Sequence, residues 1–150
     1  MELPVNLQID SIDSFCVCHF KHKKHSPSSL SHFYIVIPIK PSSDFIICII
    51  TSQLEKKRDF YNRTNQKALK SLVSVNKSIF GFLSKESFID CNRAELIPKS
   101  KFSKIIDDKY SFTIKERKIS ESIKVEIVKA IENSPLVIPY IKKLIDSINI

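Results

Sequence analysis

The chain has 150 residues, of which 43% are hydrophobic and 27% charged, and its formal net charge is +8. This composition is typical of a soluble globular protein, and we expect one domain, residues 1–150, with neither a membrane span nor a secretory signal and therefore a cytoplasmic location. The excess of lysine and arginine favours an anionic partner, with nucleic acid first, although an AT-rich genome would also enrich a chain in lysine.

The segment before residue 32 is predicted to contain one or two β-strands and a loop. Apolar and polar residues alternate over 5–9 and again over 15–19, which is the period of a strand. Residues 20–32 then form a basic loop. Its lysines are Lys21, Lys23 and Lys24.

The next two elements are predicted to form a β-hairpin. The runs Phe33 to Ile39 and Phe45 to Thr51 are rich in β-branched and aromatic residues, and each has the length of a strand. The polar residues 40–44 between them suit a turn. The hairpin therefore begins after His32 and ends before Ser52.

The middle of the chain alternates between basic and apolar segments. Residues 54–77 are predicted to be a long, partly ordered connection with a marked excess of lysine and arginine. Residues 78–98 return to the pattern of short strands. The single glycine, Gly81, predicts a bulge or a close approach of two backbones.

Two helices are predicted in the C-terminal segment, about 119–148. Apolar residues recur at helical spacing from Ile123, with Ser120 as the N-cap, and Pro139 suits the first turn of a second helix whose Tyr140 would face the core. Strands followed by helices predict an α+β fold, with a small barrel over about 3–106 and the helices packed on one side.

A cluster of cysteines and histidines invites comparison with zinc sites. The residues concerned are Cys16, Cys18, His19, His22 and His25. The Cys-x-Cys spacing differs from that of zinc knuckles, and lysines surround the later histidines, so we expect a solvated or phosphate-contacting loop and no metal. The four cysteines are expected to be reduced thiols.

The two ends of the hairpin are the candidate catalytic site. If the strands pair, His32, Thr51 and Ser52 are neighbours beneath the basic loop. A histidine base with hydroxyl donors and cations suits transesterification of RNA without metal. The alternative is structural: Thr51 and Ser52 terminate a strand, and His32 is a half-buried polar residue.

Three stretches carry a family resemblance: "SHFYIVIPI", "FIICIITSQ" and "FLSKESFIDCNRAELIPKSKF". Together they resemble the PemK/MazF-like toxin superfamily, and in style the ToxN-like branch, over roughly residues 15–106. Members of this superfamily have an SH3-like antiparallel barrel and cleave single-stranded RNA without metal. The resemblance therefore implies an SH3-like barrel with the C-terminal helices packed on it.

The resemblance also assigns roles to residues. Thr51 and Ser52 match the hydroxyls that contact the scissile phosphate, and His32 stands where many members have an arginine. Either the chemistry shifts onto His32, or Lys23 and Lys24 supply the cation, or this chain is inactive. The glycine-rich opening of the PemK/MazF pattern is absent.

These observations together predict an endoribonuclease toxin of a toxin–antitoxin or phage-defence module. Its partners would be RNA and a cognate antitoxin, with a possible homodimer and no cofactor. The predicted RNA-binding residues are Lys21, Lys23, Lys24, Lys56, Lys57, Arg58 and Ser87, with a catalytic or a structural role left open for the last. The alternative is a non-catalytic nucleic-acid-binding or protein-interaction module.

Overall fold

A computed structural model describes residues 3–40 and 43–148 and shows an α+β fold. The helices are α1 (Val5–Asp10), α2 (Leu54–Thr64), α3 (Lys99–Ile105), α4 (Glu121–Asn133) and α5 (Pro139–Asp146), and the strands are β1 (Cys16–Phe20), β2 (His32–Ile39), β3 (Asp44–Thr51), β4 (Leu72–Val75), β5 (Ser87–Asp90), β6 (Glu95–Ile97) and β7 (Thr113–Glu116). Two 3-10 helices, Gln66–Ser71 and Cys91–Arg93, flank the β4–β5 pair.

The strands form one antiparallel sheet in the order β4-β5-β3-β2-β1-β7, and β6 pairs with β3. Within the described residues β4 and β7 are edge strands, so the sheet is open and the predicted barrel is not confirmed. The physical reason lies in β2 and β3. Each has four consecutive buried residues, and strands buried on both faces suit a sheet that is covered on both sides.

The predicted hairpin is confirmed as the centre of this sheet. β2 and β3 pair along their length, from Phe33 opposite Ile50 to Ile39 opposite Asp44. Of the predicted turn, Pro41 and Ser42 lie outside the described residues. The pairing brings the start of β2 and the end of β3 to the same end of the sheet.

Each face of the sheet has its own hydrophobic core. On one face, Ile35 and Cys48 pack with the apolar residues of α4 and α5. On the other face, Val36 and Ile47 pack with Ile9 of α1 and with α3. The two predicted C-terminal helices thus pack on one side of the sheet, as expected, whereas α1 and α3, which the sequence did not predict, cover the other face.

Three local predictions also differ from the structure. Residues 5–10 form α1 instead of a strand. Val5 and Ile9 are one helical turn apart, so in a segment this short the apolar pattern fits the repeat of a helix as well as the alternation of a strand. The basic connection contains the helix α2. Gly81 lies in a turn region outside the strands, and a Cβ at this position would meet no atom within 4 Å.

The two C-terminal helices are confirmed as α4 and α5. Ser120 occupies the N-cap of α4, although its side chain makes no capping hydrogen bond, and Pro139 begins α5. Tyr140 is 57% exposed, and its neighbour Ile141 enters the core instead. Among the described helices, none is long and apolar enough to cross a membrane.

A buried polar network ties α2, β5 and the C-terminal helices together, and we call it the Asp90 network. The carboxylate of Asp90 is fully buried; it contacts Lys57 Nζ at 3.0 Å and accepts a hydrogen bond from the Tyr61 hydroxyl at 2.8 Å. Asn92 donates its backbone N–H to Asp90, and its side-chain oxygen accepts from the Ser134 hydroxyl at 2.7 Å. Since Ser134 follows α4, the network fixes this helix to the sheet.

Candidate active site

A groove of about 840 Å³ opens where β2 begins and β3 ends, and we call it the His32 groove. Its floor includes Tyr34, Ile47 and Ile49, which belong to one face of the sheet. Its polar lining comprises Lys24, His25, Ser28, Ser29, Ser31, His32, Thr51, Ser52, Gln53, Lys57, Ser84, Lys85, Ser87, Arg93 and Glu95. The structure thus brings the three predicted catalytic residues to one groove.

The strand register explains why His32 and Thr51 share this groove. Phe33 pairs with Ile50, so one further step along both strands sets His32 opposite Thr51. Residues directly opposite in an antiparallel pair point to the same face of the sheet. Both side chains therefore project from the face that carries Tyr34.

Two imidazoles lie together at the start of β2. The ring centroids of His25 and His32 are 4.9 Å apart, and His25 Nε2 shares a hydrogen bond of 3.0 Å with the Tyr34 hydroxyl. His32 Nδ1 is buried, and no described residue bonds to it. Because buried polar atoms are nearly always paired, such an atom in a groove marks a candidate functional group.

Both imidazoles are held in the neutral form. Burial, then His32 and Lys24, lowers the pKa of His25 to about 4. Burial, followed by the charge of Lys21, also lowers the pKa of His32 from its ordinary value. A neutral imidazole is the form that can accept a proton.

The N-terminus of α2 lies beside the two hydroxyl residues. Thr51 Oγ1 accepts a hydrogen bond from the Gln53 backbone N–H at 3.2 Å, and α2 begins at Leu54 without a side-chain cap. Uncapped N–H groups in the first turn of a helix attract anions. Hydroxyls and helix amides together are the groups with which proteins hold a phosphate.

Four cationic side chains and one carboxylate line the groove. Lys24 Nζ lies 2.9 Å from Glu95, and contacts with His22 and then Lys24 lower the pKa of Glu95 to about 2. Within residues 3–40 and 43–148, neither Lys85 nor Arg93 has an ion-pair partner. These two charges are therefore the ones left for an anionic ligand.

Lys21 does not belong to the surface of the groove. It is only 1% exposed, and its ammonium donates hydrogen bonds to the backbone oxygens of Ser26 and Ser29, both at 2.6 Å, and to the Ser29 hydroxyl at 2.8 Å. All three protons are thus used inside the loop. Lys21 shapes the loop and has no proton left for RNA.

The other predicted contacts divide between the groove and its surroundings. Lys24 and Lys57 line the groove, whereas Lys23 and Lys56 are exposed outside it. Arg58 lines a second pocket instead. Ser87 lines the groove but is buried, and its hydroxyl donates to the Lys85 backbone oxygen at 3.1 Å, which favours a structural role.

Sequence reasoning missed several residues of the groove: Tyr34, Lys85, Arg93 and Glu95. Tyr34 could have been found, because it stands two positions after His32 and so shares its face of the strand. Lys85 and Arg93 lie on either side of β5, and only the pairing of β5 with β3 brings them to the groove. No local pattern signals that pairing.

The cysteine–histidine cluster is divided by the strand geometry. Within the described ranges, no three His, Cys, Asp or Glu side chains lie close enough to hold a metal ion. Cys16 and Cys18 are buried free thiols with sulfurs 3.8 Å apart. His22 instead accepts the Lys24 backbone N–H, and His25 bonds to Tyr34.

Comparisons with known proteins add no relative from which roles could be transferred. No protein-family model, no curated protein and no solved structure matches this chain. The resemblance to the PemK/MazF-like superfamily therefore stays a prediction, and the geometry of the His32 groove carries the functional argument.

Proposed function

We propose that the protein cleaves single-stranded RNA in the His32 groove, by attack of a 2'-hydroxyl on the adjacent phosphate and without a metal ion. One observation carries the proposal: a neutral imidazole, His32, shares a groove with the hydroxyls of Thr51 and Ser52 and the uncapped start of α2. The imidazole can remove a proton, and the hydroxyls and the start of the helix can hold a phosphate.

The chemistry assigns one role to each group. The neutral His32 imidazole takes the proton of the 2'-hydroxyl, the new 2'-oxygen bond to phosphorus forms, and the bond from phosphorus to the 5'-oxygen breaks. The 5'-oxygen takes a proton from water. Thr51, Ser52 and the first-turn amides of α2 stabilise the charge on the phosphate oxygens. Lys85 and Arg93 hold the flanking phosphates.

Two substitutions test these roles. Thr51→Val keeps the size of the side chain and removes its hydroxyl, and His32→Ala removes the base. Each should slow cleavage about a hundredfold or more, which is the usual effect of losing one well-placed catalytic group. His19→Ala and Thr113→Val are matched controls, since neither side chain lines the groove.

The pH profile adds a test of His32 as the base. Its pKa is lowered, so cleavage should persist below pH 6.5 and decline only in more acidic buffer. Cleavage at the wild-type rate by both His32→Ala and Thr51→Val would refute the site. Binding of RNA without cleavage by the wild type would instead support the non-catalytic nucleic-acid-binding module.

We extend the proposal to a biological role as a toxin of a toxin–antitoxin or phage-defence module. Cleavage of cellular RNA would arrest growth, and an antitoxin, protein or RNA, that covers the cationic groove would restrain it. Induced expression in a bacterium should stop growth and shorten RNA, and His32→Ala should relieve both. Unimpaired growth with intact RNA, alongside active purified enzyme, would argue against this role.

A further inference from the structure

A second pocket, of about 470 Å³, lies beside α2, and we call it the Arg58 pocket. Its lining residues are Arg58, Asp59, Asn62, Leu69, Leu72, Ser74 and Phe88. α2 contributes Arg58, Asp59 and Asn62, and β4 contributes Ser74, whereas the apolar members come from the 3-10 helix Gln66–Ser71, β4 and β5. The pocket is thus a cleft with an apolar wall and a polar rim.

The guanidinium of Arg58 is positioned by an aromatic ring. Its Cζ lies 5.1 Å from the centroid of Phe88, within the range of a cation–π contact. Phe88 is buried, whereas Arg58 is exposed. The guanidinium therefore lies against Phe88 and, because Arg58 is exposed, it stays accessible to a flat ligand.

The charges of the pocket favour a neutral ligand. Arg58 is balanced by Asp59 in the same lining, so the pocket offers little net attraction for a phosphate. A planar heterocycle can stack on the guanidinium and exchange hydrogen bonds with the amide of Asn62. A nucleobase has both properties.

The Arg58 pocket and the His32 groove are linked by residues of neighbouring strands on the same face of the sheet. Phe88 pairs with Thr51 on one side and with Ser74 on the other. Opposite residues point to the same face, and neighbouring strands are about 5 Å apart. A strand of RNA whose phosphate lies at Thr51 therefore has its neighbouring nucleotide beside Phe88.

We propose that the Arg58 pocket binds one nucleobase of single-stranded RNA, next to the phosphate held at Thr51. The proposal rests on the proposed function in one respect, since it takes RNA to be the ligand of the groove. It adds a stacking subsite that fixes which phosphate reaches His32.

The test is a double-mutant cycle between Arg58 and the bases of an uncleavable ligand. The probe is a fluorescent hexanucleotide RNA with 2'-O-methyl sugars, together with six versions that each lack one base. Arg58→Lys keeps the charge and removes the stacking plane. Arg63→Lys, an identical change elsewhere on α2, is the control, and affinity is measured by fluorescence anisotropy.

Loss of one particular base should weaken wild-type binding about tenfold, as is usual for a stacked base. Arg58→Lys should weaken binding of the intact probe to a similar degree and add nothing when that base is missing. Arg63→Lys should bind like the wild type. Two results would overturn the pocket. One is that the losses of affinity from Arg58→Lys and from base removal multiply at all six positions, and the other is that Arg58→Lys loses no affinity.

Cleavage of unmodified RNA separates this proposal from the proposed function. Coupling between Arg58 and one base without any cleavage overturns the ribonuclease and supports the pocket. Cleavage that depends on His32, without such coupling, overturns the pocket alone. A wild-type protein that binds no probe overturns both.

Discussion

The His32 groove and the Asp90 network both contain buried polar atoms, but these atoms differ in whether they have hydrogen-bond partners. Asp90 is fully buried, and both of its oxygens are paired, with Lys57, Tyr61 and Asn92. His32 lies in an open groove, and its buried Nδ1 has no partner among the described residues. The first arrangement holds elements together, whereas the second leaves groups ready for a ligand.

The difference shows how a polar cluster can be assigned a role from its hydrogen bonds. A buried charge with all its partners in place stabilises one arrangement of the chain, and removing a partner is costly. A buried polar atom without a partner costs stability, and in a residue that lines a groove it marks a candidate functional group. Substitutions in the Asp90 network should therefore change stability, whereas substitutions in the His32 groove should change the binding or cleavage of RNA.

The largest effect is expected from Asp90→Ala. The substitution leaves the ammonium of Lys57 and the hydroxyl of Tyr61 without their shared acceptor, and breaking a buried ion pair costs about 3 kcal/mol or more. The free energy of unfolding, measured by urea denaturation, should fall by this amount. Glu126→Ala, at an exposed position of α4, is the control and should change little. A loss for Asp90→Ala below about 1 kcal/mol would contradict a structural network.

Lys21→Met should have the next largest effect. Methionine matches the length of the lysine stem but cannot donate to Ser26 and Ser29, so the loop loses the three hydrogen bonds of the buried ammonium at a cost of about 2 kcal/mol. The same urea experiment measures the loss. The loop that carries Lys24 and His25 should also become more susceptible to proteolysis. When wild type and variant are compared at equal free energy of unfolding, hydrogen exchange in α4 should not differ. A loop that stays protected in Lys21→Met would show that Lys21 does not order it.

A smaller effect is expected from pH. His25 has a pKa of about 4 in the folded protein, below its ordinary 6.5, so the unfolded chain binds the proton first as the solution is acidified. Its contribution to stability is complete above pH 6.5 and disappears as the pH falls towards 4. Unfolding curves at several pH values measure this decline.

The substitution His25→Gln sharpens the pH experiment. Glutamine places an amide near the position of Nε2, so it can still bond to Tyr34, but it does not titrate. The decline in the free energy of unfolding between pH 6.5 and 4 should become shallower. The further decline below pH 4.5 should persist, because it belongs to Glu95, whose pKa is about 2. An unchanged slope would mean that His25 is not held neutral by the fold.

The smallest effect is expected from the cations of the groove. Lys85→Gln and Arg93→Gln each remove one charge that no described carboxylate neutralises. Each should reduce the slope of log affinity for single-stranded RNA against log salt by the amount that one phosphate contact contributes. Affinity should weaken for all sequences alike. Lys129→Gln, on α4, should leave the slope unchanged. A slope that none of these changes alters would argue against phosphate contacts by these side chains.

Local patterns were sufficient to predict the central hairpin and the two C-terminal helices. The runs that became β2 and β3 are too rich in β-branched residues for any other element, and Pro139 marks the start of α5. The barrel was not confirmed, and it could not be judged from the sequence because sheet closure depends on which distant strands pair. Nothing near β7 indicates that Val17 will pair with Glu116.

The candidate site was predictable only where it lies within the hairpin. His32, Thr51 and Ser52 follow from the register of adjacent strands. Lys21 looks from the sequence like any other lysine of a basic loop, and its burial depends on the fold of residues 26–29. The loop lysines could be recognised as cationic, but their partners, such as Glu95 for Lys24, come from distant segments.

The long separation between β1 and β7 has a consequence for the folding of the chain. β2 and β3 can pair as soon as residue 51 has been synthesised, because only a short turn must close. β1 meets its outer neighbour only when residues near Glu116 are available, and closing so long a loop is slow. Until then the outer edge of β1 offers unpaired amides and carbonyls to other chains. A nascent or truncated chain that ends before residue 113 is therefore the form in which we expect this protein to aggregate.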